Sequence, residues 1–331
     1  MKQKRGWSTS IIIVLLIALC TACAGSKTGS DTSGTATGDS STLETALSDK
    51  TRVVASEKGE ISIPADPQRI VGLSVVYPEF LYALGVRPVA VQNYHPEFPA
   101  YLQEALKDTL KTGLAQTPNF EAILSTQPDL IIAPAWWSDK DYDQLTAIAP
   151  TVLLPQRDNW RDELRDIAEV LGKKDVAEKV ITDLQVQEAE AKKKLDTLVG
   201  EETVMYMMIM ADEIVIYGEN IDRGKFIHQE LGLNPVKDFP QSEMSVSISL
   251  EKIPEYNPDH IILQLDDESS DKVQKRYKEM MNSSLWKNMT AVKKNQVYTM
   301  GGKEWFSLGM SPLADSNAVN DVLQAFEKKE N

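Results

Sequence analysis

Residues 119–132 read Asn-Phe-Glu-Ala-Ile-Leu-Ser-Thr-Gln-Pro-Asp-Leu-Ile-Ile, and residues 249–262 read Ser-Leu-Glu-Lys-Ile-Pro-Glu-Tyr-Asn-Pro-Asp-His-Ile-Ile. Laid over one another without a gap, Glu121 meets Glu251, Ile123 meets Ile253, and Pro128-Asp129 meets Pro258-Asp259. The isoleucine pairs at 131–132 and 261–262 coincide as well. Each copy reads as a short helix, a Pro-Asp turn and a buried strand. A unit of this kind repeated far along a chain predicts two similarly built halves.

The material around the repeat agrees. Arg69 to Leu73, Val89 to Val91 and Asp129 to Ala133 are apolar runs of strand length, alternating with helical stretches such as Glu79 to Leu84. That alternation predicts parallel strands with crossover helices. Between the two copies, Leu164, Ile167, Ala168 and Leu171 keep helical spacing; Gly172 interrupts, and Val176, Val180, Ile181, Leu184, Ala191, Leu195 and Leu198 resume it. Strand-like runs return at Thr203 to Met210, Ile214 to Tyr217, His260 to Leu265 and Gln296 to Met300. The expected fold is α/β: two Rossmann-like lobes joined by a long backbone α-helix, with a ligand cleft between the lobes. The expected divisions are a leader at 1–22, a linker at 23–50, a first lobe at 51–158, the backbone helix at 159–200 and a second lobe at 201–331.

The N-terminus reads as an address. Lys2, Lys4 and Arg5 precede an apolar run from Ile11 to Leu19, which has signal-peptide length and is short for a membrane span. Ala22 directly before Cys23 resembles a bacterial lipobox, although Cys20 occupies the place where leucine is usual. Cys23 is therefore the expected lipidation site. From Ala24 to Thr42, 14 of 19 residues are Gly, Ser or Thr, a composition that buries too little surface to fold. A body tethered by lipid to the extracytoplasmic face of the cell membrane is the expectation.

Composition excludes much. The chain has 331 residues, 42% of them hydrophobic, enough for a substantial core. Its 35 Lys and Arg against 49 Asp and Glu give a net charge of −14, and loss of Lys2, Lys4 and Arg5 with the leader takes this to −17. Nucleic acid is a poor partner for such a chain. Cys20 and Cys23 are its two cysteines, so the body lacks disulfide, thiolate zinc ligand and thiol nucleophile. His95, His228 and His260 share no metal-ligand spacing. No nucleophile elbow, dinucleotide fingerprint or P-loop is present, so no enzyme and no cofactor are expected.

The order of lipobox, polar tether, lobe, backbone helix and second lobe resembles the helical-backbone substrate-binding proteins of bacterial ABC importers. Pro67 to Val71, Leu145 to Val152, Leu231-Gly232-Leu233 and Leu285 to Met289 resemble its iron-siderophore branch, and the resemblance covers residues 52 to 327. It implies a ferric siderophore as ligand, with the iron held by the siderophore, and an ABC permease dimer with its ATPase as partner. In that family a glutamate on each lobe docks into arginine pockets of the permease, and Glu121 and Glu251 match those positions; alone, each would read as a solvated helix residue. Tyr217 to Gly224 resembles a loop of hydroxamate-siderophore receptors in which the arginine at the place of Arg223 binds the chelating oxygens, though Ile221 stands where some relatives have an aromatic residue. A guanidinium suits the oxygen-rich face of a ferric chelate; a surface salt bridge to Glu219 or Asp222 is the plainer role. Trp305 and Phe306 fall where such receptors place an aromatic pair. Tyr94, Trp136, Trp137 and Tyr217, at the carboxyl ends of strands, and Met244, in the loop before Ser245 to Ile248, complete the candidate pocket. One clear arginine among aromatics suits a hydroxamate or mixed citrate-hydroxamate chelate better than a trianionic catecholate. Cobalamin or haem carried by the same fold, with Tyr94, His95 or Met244 available as a haem axial ligand, and a surface adhesin are the alternatives. A monomer is expected.

Overall fold

The computed structural model describes residues 50–114, 118–237 and 239–328. A hairpin of β1 (Thr51–Ser56) and β2 (Gly59–Pro64) leads into a sheet of β3 (Ile70–Gly72), β4 (Ala90–Val91), β5 (Leu110–Lys111), β6 (Leu130–Pro134) and β7 (Thr151–Leu154). Its order is β5-β4-β3-β6-β7 and its pairings are all parallel. The chain thus winds outward in one direction from β3, returns to β6, and winds the other way. The gap between β3 and β6 is a topological switch point, where open α/β sheets leave a crevice at the carboxyl ends of the strands. β3, β6 and β7 are buried along their whole length, as parallel strands covered on both faces must be.

The second sheet holds β8 (Val204–Ile209), β9 (Ile214–Tyr217), β10 (Ser245–Ile248), β11 (His260–Leu265) and β12 (Val297–Thr299) in the order β10-β9-β8-β11-β12. It is mixed: β8, β11 and β12 run parallel, whereas β9 and β10 run antiparallel to their neighbours. The alternation of strands and helices suggested parallel pairing. The turn at 210–213 is too short for a crossover and makes β8–β9 a hairpin instead.

The repeat occupies equivalent places. Helix α2 (Phe120–Ser125) leads to β6, and the short helix Ile253–Tyr256 leads to β11; each strand lies inside its sheet. The Asp129 carboxylate accepts the backbone N–H groups of Gln68 and Arg69, both at 2.8 Å, just before β3. Asp259 accepts the backbone N–H and hydroxyl of Thr203, both at 3.0 Å, just before β8. Each aspartate thereby fixes the start of the neighbouring parallel strand. Ile123 with Ile131, and Ile253 with Ile261, fill the outer core of their own lobe. Ile132 and Ile262 face a core common to both.

That common core is organised by helices. Helix α1 (Tyr77–Ala83) lies over the first sheet. Two further helices, α3 (Trp160–Leu171) and α4 (Lys174–Val199), are separated where Gly172 takes a left-handed conformation, φ 66°. On α4, Ala177, Ile181, Leu184, Glu188, Ala191, Leu195 and Val199 make one buried stripe at helical spacing. Glu188 is tolerated in it because Arg161 donates to both its oxygens at 2.8 and 2.9 Å; burial still pushes its carboxyl up to about 7. The C-terminal helix α5 (Pro312–Glu327) packs along α4 and touches α1. Its first turn is capped by Ser311 and by Glu79 of α1, whose carboxylate accepts the Ala314 N–H at 3.1 Å. Asp315 accepts the Trp160 indole N–H at 2.9 Å. The last helix therefore ties the first lobe to the second. No helix among the described residues is long and apolar enough to cross a membrane.

His228 is buried beside Phe239 and donates from Nδ1 to the Leu233 carbonyl, which leaves Nε2 without a partner. Burial pushes its pKa down to about 4 from the ordinary 6.5. The unfolded chain takes up this proton near pH 6.5 and the folded chain only near 4, so folding weakens as pH falls through that interval, by about 3 kcal/mol in all. Urea unfolding of the native protein and of His228→Asn between pH 7 and 4 measures this: the loss should be smaller in the variant, and parallel profiles would contradict it.

Candidate functional site

Arg223 follows β9 on a one-turn helix (Asp222–Lys225) and is buried, 7% exposed. Its position depends on close backbone approach. A Cβ on Gly224 would lie 1.8 Å from the Gly218 carbonyl oxygen, one on Gly218 2.0 Å from that of Glu243, and one on Gly309 2.3 Å from the Asp222 backbone. Asp222 itself has a φ of 39°, a left-handed conformation uncommon outside glycine. These constraints press the Tyr217–Arg223 loop against residues 305–309.

The guanidinium donates from Nη1 to the Trp305 carbonyl at 2.6 Å and to Gln264 Oε1 at 3.5 Å, and from Nη2 to the Phe306 carbonyl. Gln264 in turn donates to the Gly302 carbonyl at 2.7 Å and accepts from the Tyr206 hydroxyl. Tyr206 and Tyr217 stack at 5.0 Å, and the guanidinium lies 5.5 Å from the Tyr217 ring. Burial raises both phenols. Arg223 thus holds the 302–306 loop in place through neutral carbonyls. Asp266, the first residue after β11, adds a half-buried carboxylate whose pKa burial raises and whose neighbours His95 and Arg223 lower.

Across the cleft, Tyr94 and His95 follow β4. Tyr94 stacks on Phe306 at 4.8 Å with 17° between the planes, and His95 meets Phe306 edge-on at 5.4 Å. Nearby, the Ala100 N–H donates to the Glu304 carboxylate at 2.7 Å, and the Tyr101 hydroxyl to the Glu304 carbonyl at 3.2 Å. The aromatic stack lines a cavity of about 30 Å³ together with Glu79, His95, Phe98 and Lys303. A second, of about 90 Å³, lies at the switch point between Leu73, Ser74, Gln92, Pro134, Trp136 and Trp137 and shares Val75 with the first. Trp137 Nε1 and His95 Nε2 are buried with no hydrogen-bond partner, a condition that a ligand oxygen would relieve. Broader grooves of about 680 and 720 Å³ lie beside β12 and at the amino ends of the first sheet. The first is lined by Lys294, Lys328 and Asp321, the second by Arg69, Arg87, Lys107, Glu104 and Asp108.

Of the residues singled out in the sequence, Arg223, Tyr217, Tyr94 and Phe306 come together, and Trp136 and Trp137 stand over the neighbouring cavity. Trp305 differs from its expected role as a wall: it is fully buried, packed under Gly301, and donates to Asp321 at 2.8 Å. Met244 is exposed on the loop before β10, its carbonyl accepting the Gly218 N–H at 3.0 Å. Glu121 and Glu251 are exposed at the repeat positions, and Glu251 is held below the usual carboxylate range by Ser249. Cys23 lies outside the described residues. Gln264, Asp266 and Gln92 were missed; only Asp266 carried a signal, as an acidic residue directly after a buried strand. Among the described residues no three His, Cys, Asp or Glu side chains converge on a metal site.

The family model described as "Periplasmic binding protein" matches residues 70–304. The Iron-uptake system-binding protein of Bacillus subtilis is 31% identical, over 89% of this chain and 93% of that protein. The Iron(3+)-hydroxamate-binding protein YxeB of the same organism is 29% identical, over 96% and 95%. The crystal structure of Staphylococcus aureus SirA complexed with staphyloferrin B superimposes with a TM-score of 0.69 at 28% identity, over 84% of this chain and 99% of that one. The chain is a substrate-binding protein, not an enzyme, and belongs to the periplasmic binding protein family.

Proposed function

We propose that this protein captures a ferric siderophore of hydroxamate or mixed citrate-hydroxamate type in the cleft and delivers it to an ABC permease for iron uptake. The observation that carries the reading is a buried guanidinium held against an aromatic pair from opposite lobes, with a tryptophan-lined crevice at the switch point that shares Val75 with the cavity beside that pair. Small-molecule sites of this kind occupy roughly 300 Å³ or more. The two existing cavities are far smaller, so the Tyr94–Phe306 stack parts on binding. Movement of Phe306 takes its carbonyl away from Arg223 and releases a donor for the chelate oxygens. Tyr94, Phe306, Trp136 and Trp137 then wall the chelate's carbon skeleton, Tyr217 supports the guanidinium, Trp305 backs the loop, and Met244 lies at the rim.

Delivery follows from the repeat. Glu121 and Glu251 stand at matching ends of the two lobes, as a two-fold permease requires, and each meets an arginine pocket there. A diacylated Cys23 and the Gly/Ser/Thr tether keep the monomeric receptor at the extracytoplasmic membrane face.

Three measurements test this. Ferrichrome titrated into the protein should quench tryptophan fluorescence with a dissociation constant below about 1 μM, the order of −8 kcal/mol; no saturable change contradicts capture. Arg223→Ala should weaken that binding by about 1.5–3 kcal/mol, the scale of a hydrogen bond to a charged group; an unchanged constant removes Arg223 from the site. Glu121→Arg combined with Glu251→Arg should leave ferrichrome binding intact and abolish iron uptake by cells, and uptake at the native rate refutes the docking assignment.

A further inference from the structure

Arg223 and Lys303 of the cleft each face carboxylates, and the pairing at Arg223 bears on ligand choice. Gln264 and Asp266 sit two residues apart at the end of β11, so they project from the same face. That face is the one on which Gln264 reaches Arg223, Tyr206 and the Gly302 carbonyl. The Asp266 carboxylate therefore stands on the cleft side beside the guanidinium. It acts across the cleft too: burial raises the Tyr94 phenol and lowers the His95 imidazole, and at both the Asp266 charge pulls upward while Arg223 pulls downward. Further out, Lys303 and Asp267 oppose one another at His95 in the same way. The hydrogen-bond partners of Arg223 are neutral, whereas Asp266 is an anion facing it in a half-buried setting.

A cleft with paired charges offers a dissolved anion little attraction, yet binding there strips the anion of water. A neutral chelate is spared that penalty, and one whose ammonium arm stays in solvent pays little of it while keeping its attraction to the carboxylate. Resting on the ferric siderophore reading above, we propose that Asp266 is the residue that sets the net charge of the ligand: of the two chelate types named there the cleft prefers the tris-hydroxamate of zero or positive charge, with or without a free ammonium arm, to the anionic citrate-hydroxamate, and it rejects polyanionic carboxylate and catecholate chelates.

Coulomb energy is linear in the ligand's charge, so the inference predicts a graded response and not merely a loss. Dissociation constants are measured for singly cationic ferrioxamine B, neutral ferrichrome and a triply anionic ferric tris-catecholate, in the native protein and in Asp266→Asn, at low and at physiological salt. The native protein should bind the tris-catecholate weakest. In Asp266→Asn, ferrioxamine B should weaken by about 2-fold and the tris-catecholate tighten by about 10-fold, with ferrichrome between them and the spread narrowing as salt rises. Asp267→Asn, a more solvated position on the same loop, should move the same series less. The opposite signs separate a charge effect from damage to the fold, which would weaken all three chelates together. A tris-catecholate that binds the native protein tightest, or equal shifts for all three ligands, overturns the inference and leaves the siderophore reading standing. Failure of all three to bind the native protein overturns both.

Discussion

One apolar core runs from the first sheet to the second, and the remaining features of the molecule depend on it. Ile70, Ile132 and Val152 of the first sheet, Ile181, Leu184 and Leu195 of α4, Tyr206, Tyr217 and Ile262 of the second sheet, and Phe326 of α5 belong to a single packed cluster. Close-packed interiors resist the shear that a hinge requires, because any displacement opens voids. Polar ties reinforce the apolar ones: Glu79 caps α5, Trp160 donates to Asp315, and Arg161 neutralises Glu188 inside the α4 stripe. Two halves fused in this way keep a nearly constant separation. The part left to move is the cleft's own lining, the Tyr94–His95 and 302–306 loops.

The cleft inherits its chemistry from the different winding of the two sheets. In the first, the doubly wound parallel order opens a crevice between β3 and β6, and Trp136 and Trp137 reach it because they directly follow β6. In the second, β9 turns back on β8, which carries the residues after Tyr217 across the face of the sheet toward the 302–306 loop. Gly218, Gly224 and Gly309 permit contacts between backbones that any side chain would block. The arginine is consequently fixed by carbonyl oxygens on a separate loop.

Much of the fold was legible because the repeat carries its own structural logic. A Pro-Asp pair before an apolar strand is informative when the aspartate has a neighbouring strand start to bind, and Asp129 and Asp259 both do. Helical spacing through 160–199 and the break at Gly172 were equally direct. Four things were not legible. The hairpin at β8–β9 depends on turn length, which apolar runs of similar composition do not reveal. The burial of Trp305 follows from Gly301 above it and Asp321 on a distant helix turn, neither of which marks it locally. The partners of Arg223 are main-chain carbonyls, which every residue possesses, so no side-chain pattern announces them. The return of α5 to cap against Glu79 likewise joins residues more than 230 positions apart.

Iron is its own label, and its position bears most directly on this account. Anomalous diffraction at the iron edge, from crystals grown with ferrichrome, should give a single peak in the cleft between Arg223 and Trp137, with Tyr94 and Phe306 separated and the two sheets otherwise superimposable on those described here. A peak in the groove beside β12 or at the amino ends of the first sheet, or halves swung apart around α4, would contradict it.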